Sequence, residues 1–201
     1  MQLYWLGYSS IKIEGKVGDA ECTLVTDPYQ NEASLRFPKT VNPDILVLSN
    51  QDTELFNLEP FAEKPPFTIS TPGEFEVKGA FVQGIQVDDS IIYRFVIEGM
   101  AIGFLGSIQR ELNDVEIEQL GSIDILILPA GGIAQKLLTS IEPRMVIPIQ
   151  IDIPGIKTKL ETADAFCKKM GACKRVDANK LKIVRKDLPS DELVVTVLER
   201  L

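Results

Sequence analysis

Apolar residues recur along this chain mostly in runs of three to six, and where they alternate with polar ones the period is two. Residues 1–6 read as a strand broken at Gly7. Residues 10–14 alternate as a half-buried strand does, and 22–26 form a third run closed by Asp27-Pro28-Tyr29, so the first 26 residues predict an antiparallel meander. Residues 44–48 are apolar throughout after Asp44, the pattern of a strand covered on both faces. A second series of short strands is predicted over 65–70, 75–78, 80–85, 91–98 and 100–105, with Glu98-Gly99 as a tight hairpin turn. Residues 124–128 and 145–149 repeat the buried-strand pattern, and 181–184 and 193–198 close the series.

Helical signals are fewer. Asn113 and Glu116 make a capping box for a helix over 113–120. Residues 133–140 suit one or two turns. The clearest helix covers 162–170, with Thr162 at its N-cap and Gly171 as its stop. No low-complexity tract or linker divides the 201 residues, so one domain is expected, strand-rich with helices outside.

Composition narrows the chemistry. The formal charge is −8 and the pI about 4.7, which speaks against a nucleic-acid partner, because phosphate backbones attract basic patches. No apolar run is long enough to span a bilayer, and residues 1–10 lack a basic segment followed by an apolar one, so a cytoplasmic protein with no membrane partner is expected. Cys22, Cys167 and Cys173 form no CxxC pair and are expected as free thiols in a reducing compartment. The chain contains no histidine. Ser-His-Asp, Cys-His and His-zinc chemistry are therefore excluded within it.

Seven segments in order resemble a known family. Tyr4-Trp5-Leu6-Gly7, Val25-Thr26-Asp27-Pro28-Tyr29 and Asp44-Ile45-Leu46-Val47 are similar to the opening of metallo-β-lactamase-fold hydrolases of the lactonase-like branch. Thr71-Pro72-Gly73-Glu74-Phe75-Glu76-Val77, Phe104-Leu105-Gly106, Leu128-Pro129-Ala130-Gly131-Gly132 and Glu142-Pro143-Arg144-Met145-Val146-Ile147-Pro148 follow in the family's order. The resemblance implies an α+β four-layer αββα sandwich with a metal site on the sheet edges. Against the family's His-x-His-x-Asp-His run, this chain has Asn50, Asp52 and Leu55 at the histidine positions and Glu54 at the aspartate. The bridging aspartate becomes Ser107, the final histidine becomes Gln150, and Tyr8 stands where a histidine is common. The mid-chain loop that carries another histidine is shortened to Val87-Asp88-Asp89.

The expectation is a vestigial site formed by Tyr8, Asp27, Asn50, Asp52, Glu54, Ser107 and Gln150, with no metal, no cofactor and no catalytic residue. Tyr8, Trp5, Tyr29 and Phe56 are candidates for an apolar lining, which suits an organic ligand or a partner side chain. The expected role is a non-catalytic binding or scaffold module whose partner is unknown, with self-association into a homo-oligomer open. The alternative is a hydrolase holding Mg²⁺, Mn²⁺ or Ca²⁺ on Asp27, Asp52 and Glu54. Against it, Asp52 and Glu54 also suit a helical turn's N-terminus, and Asp27 before Pro28 suits a turn. Glu74 and Glu76 are expected on one solvent-facing strand face, and Pro129-Ala130-Gly131-Gly132 as a tight turn.

Overall fold

In the computed structural model, residues 1–201 are described apart from Lys157, Ala172, Asp177, Ala178 and Asp191. The predicted meander forms as β1 (Gln2–Gly7), β2 (Ser10–Val17) and β3 (Ala20–Thr26). Two parallel strands extend it, β4 (Ile45–Val47) and β5 (Phe67–Ile69). The second series forms β6 (Gly73–Val77), β7 (Ala80–Val87), β8 (Ser90–Ile97) and β9 (Met100–Phe104), all antiparallel. From β9 onward the sheet turns parallel through β10 (Ile125–Pro129) and β11 (Met145–Ile149). β12 (Cys173–Val176) and β14 (Val194–Leu198) complete that sheet, while β13 (Leu181–Lys182) returns to pair with β1. The chain thus builds a six-stranded sheet ordered β13-β1-β2-β3-β4-β5 and an eight-stranded one ordered β12-β14-β11-β10-β9-β8-β7-β6.

Strand alternation explains why the sheets stack. Leu3, Trp5, Ile11, Ile13, Leu24 and Ile45 share one face of the small sheet and are buried with Val82, Tyr93, Phe95, Phe104 and Ile127 of the large one. At Gly15 the sheets approach closely: a Cβ there would lie 2.5 Å from Ile97 Cγ2. Burying this many large side chains, at roughly 1.5–3 kcal/mol each, dominates the stability of the fold.

The helices α1 (Asp114–Leu120), α2 (Ala134–Ile141) and α3 (Ala163–Met170) all cover the other face of the large sheet. There Leu120, Leu137, Ile141 and Phe166 pack with Ile92, Leu126, Val146 and Val195. The Asn113–Glu116 capping box forms as predicted, as does the Thr162 cap. The loop between β4 and β5 carries two 3₁₀ turns, Thr53–Leu55 and Glu59–Phe61. That loop packs by a relay of edge-on rings, Tyr8, Tyr29, Phe37 and Phe61. The layer order is that of the expected sandwich.

Two details differ from the sequence reading. The strand Cys173–Val176 was not foreseen, because Lys174 and Arg175 carry no burial signal on this exposed edge. The expectation of three free thiols is overturned: Cys167 on α3 and Cys173 on β12 form a disulfide, and only Cys22 is free, buried in the core. Spacing concealed the pair because the turn at Gly171 is what brings the two together.

Candidate functional site

The carboxyl ends of β3, β4, β9 and β11 meet the β1–β2 turn on one edge of the sandwich. Each strand is buried to its last residue and then releases a polar one: Asp27, Ser49 and Asn50, Ser107, and Gln150. Sites collect at such strand ends because the rigid sheet fixes the backbone while the following loops are free to diverge. A cleft of about 250 Å³ opens here, lined among others by Tyr8, Ser9, Asp27, Asn50, Phe56 and Ser107.

Two of its lining residues, Ser9 and Ser107, join Gln150 in a knot of neutral groups. Gln150 Nε2 lies 2.6 Å from Ser107 Oγ and 2.8 Å from Ser9 Oγ, and the two hydroxyls are 3.1 Å apart. The backbone ties the same pieces together, with Gln150 N–H donating to the Tyr8 carbonyl at 3.0 Å. Tyr8, Asp27 and Gln150 all adopt left-handed backbone, with φ of 46°, 36° and 54°. Strained conformations of this kind persist only where the surroundings over-determine them, and they gather at functional edges.

Asp27 is buried beneath the knot. Its Oδ1 accepts the Ser49 N–H at 2.7 Å and its Oδ2 accepts the Ser49 hydroxyl at 2.7 Å. Burial pushes its carboxyl up to about 7, and the two Ser49 hydrogen bonds restrain that rise. Gly106, at φ +56°, passes so close that a Cβ would lie 2.7 Å from Ser49 Cβ and 3.7 Å from Asp27 Oδ2.

One wall is aromatic. Tyr8 stands edge-on to Tyr29 at 5.4 Å, and its hydroxyl donates to Glu32 Oε1 at 2.5 Å. Burial, with Glu32 adding to it, raises the Tyr8 phenol to about 12, so it remains a neutral donor. Leu55, half exposed, and Phe56 complete the wall. The opposite rim is the β7–β8 hairpin, whose two-residue turn Asp88-Asp89 places Ser90 against Asn50.

The structure therefore gathers Tyr8, Asp27, Asn50, Ser107 and Gln150, and leaves Asp52 and Glu54 outside. Asp52 caps the first 3₁₀ turn, accepting the Glu54 N–H at 3.1 Å, and both side chains are exposed. Asn50 itself turns back to accept the Asp52 N–H at 2.9 Å. Trp5 belongs to the core and donates its indole N–H to the Tyr8 carbonyl. Glu74 and Glu76 are exposed on the edge strand β6. Ser9, Ser49 and Ser90 were missed. The one available signal was their position, a serine directly following a turn or a buried run.

These residues do not fit a zinc ion. Zinc takes imidazole, thiolate or carboxylate ligands near 2.0–2.3 Å. The single carboxylate of the cleft has both oxygens committed to Ser49. The hard-cation set fares no better: among the described residues, no three Cys, Asp or Glu side chains group as a metal site would need.

Residues 2–150 match the family model of the beta-lactamase superfamily domain. No curated protein matches the chain. A provisionally assigned Zn-dependent hydrolase of the metallo-β-lactamase superfamily from Thermotoga maritima superposes with a TM-score of 0.78 at 24% identity, over 98% of this chain and 100% of that one. The metallo-β-lactamase fold protein YhfI from Bacillus subtilis gives 0.59 at 11% identity, over 98% and 96%. CmlA, a diiron β-hydroxylase from Streptomyces venezuelae, gives 0.54 at 10%, over 74% and 44%. At these identities the likeness is one of fold.

Proposed function

Because the chain belongs to the beta-lactamase superfamily domain family, we propose that it is a non-catalytic member whose sheet-edge cleft binds a small, uncharged organic ligand without a metal. The observation that carries this reading is the Gln150–Ser107–Ser9 knot, in which groups at two expected ligand positions bond to each other. An amide and two hydroxyls offer hydrogen bonds but no negative charge to offset a divalent cation. Aromatic and apolar walls beside such a knot favour a ligand with an apolar body and a few polar groups. The relatives described as Zn-dependent and diiron keep the fold for metal chemistry. Fold alone does not carry that chemistry across.

The test uses protein purified without a histidine tag. Elemental analysis after incubation with zinc and manganese is expected to find neither retained, with no turnover of lactone or phosphodiester substrates. Ligand-observed NMR with an uncharged fragment library is expected to give hits that Ser107→Trp abolishes by filling the cleft. Stoichiometric zinc retained together with turnover defeats the proposal, as does a set of fragment hits indifferent to Ser107→Trp.

A further inference from the structure

A second groove, of about 520 Å³, lies on the outer face of the large sheet, at the amino ends of β10 and β11. The cleft opens at their carboxyl ends, so one strand length, roughly 16 Å, separates the two. Val96, Gly99 and Ala101 contribute to the groove's lining, with Ile141 at the end of α2. Arg94, Arg144 and Arg185 line it.

The three guanidiniums differ in their partners. Arg144 is committed: it bonds the carbonyls of Pro189 and Leu188 at 2.6 and 3.2 Å and lies 3.4 Å from Asp124. The guanidiniums of Arg94 and Arg185 make no hydrogen bond or ion pair to any described residue, yet Arg94 is half-buried on the outer face of β8. Arg185 lies over the β8–β9 turn, its Nη1 3.4 Å from where a Gly99 Cβ would be. The chain has 29 acidic residues against 21 basic ones, so carboxylates to pair with are in excess. Of the lining carboxylates, Asp124 is taken by Arg144 and Glu142 is exposed on the rim. Withdrawing a guanidinium from water without a counter-charge is unfavourable. Arg94 is the one partly withdrawn from water, and Arg185 stands exposed over the same groove, so an anion seated there meets two cations that no described side chain competes for.

We propose that this groove binds a phosphate-bearing small molecule, gripped by Arg94 and Arg185. Their planar forks match phosphate oxygens two at a time, and the unpaired cations supply the charge that a dianion requires. The site is distinct from the cleft and stands whether or not the cleft binds a ligand.

Pyrophosphate is the probe, titrated calorimetrically into the full chain at low ionic strength. One saturable site with a Kd below about 1 mM is expected. Arg94→Gln and Arg185→Gln are each expected to weaken it about tenfold or more, since each removes charge-assisted hydrogen bonds. Arg185 is exposed, so its variant keeps the fold even if Arg94→Gln does not. Arg36→Gln, exposed and outside the groove, is the control for lost charge and is expected to change nothing. Absence of saturable heat up to about 10 mM overturns the proposal. Equal loss in Arg36→Gln overturns it as non-specific attraction. Citrate binding as tightly as pyrophosphate overturns the assignment to phosphate.

Discussion

Asp27→Asn isolates one electrostatic cost. A carboxyl held at about 7 in the folded chain and at 3.8 when unfolded keeps, between those values, a proton that the unfolded chain has released. Stability therefore falls as pH rises from about 4 to about 7, and Asp27's contribution is level above that. At 1.36 kcal/mol per pH unit the full effect is about 4 kcal/mol. Asparagine removes the titration and keeps the geometry. Its carbonyl accepts the Ser49 N–H in place of Oδ1, its amide donates to the Ser49 hydroxyl in place of Oδ2, and it tolerates the left-handed backbone at this position. Urea unfolding at a series of pH values from 4 to 8 supplies the two stability curves. Other carboxylates cancel in the difference between them. Relative to Asp27→Asn, wild type is expected to lose up to about 4 kcal/mol across the window. Parallel curves refute the claim that burial, rather than Ser49, governs Asp27.

Three further outcomes are expected. Gly106→Ala forces a Cβ into Ser49 at left-handed backbone, and thermal unfolding should show a loss of about 1–3 kcal/mol. Tyr93→Phe removes the hydroxyl that reaches from β8 to the Leu48 carbonyl at 2.7 Å beside the small sheet, which should cost about 1–3 kcal/mol in urea by leaving a buried acceptor unpaired. Thiol titration of the native, unreduced protein should find no reactive thiol, because burial both hides Cys22 and pushes it up to about 11. One thiol should appear in denaturant and three after reduction, with reduction lowering stability by about 2 kcal/mol for so short a loop.

Much of the framework could be read from the residues. Period-two alternation over 10–14 and the apolar runs at 45–47, 125–129 and 145–149 became strands because one or both of their faces must leave water. The Asn113 and Thr162 caps were local hydrogen bonds, complete within four residues. The absence of histidine and the changed ligand positions were decided by residue type alone.

What the sequence left open depended on which distant groups meet. Asp52 and Glu54 kept their carboxylates, but the chain spent one on a 3₁₀ cap and left the other in solvent. Ser9 and Gln150 are 141 residues apart and meet because the β1–β2 turn and the end of β11 arrive at the same sheet edge. The Cys167–Cys173 bridge depended on the bend at Gly171, and the shared groove of Arg94 and Arg185 on the packing that brings the two together. Alternation and capping are written in neighbouring residues. Hydrogen-bond partners, buried charge and unpaired cations exist only once the two sheets have closed, and are set by the packing.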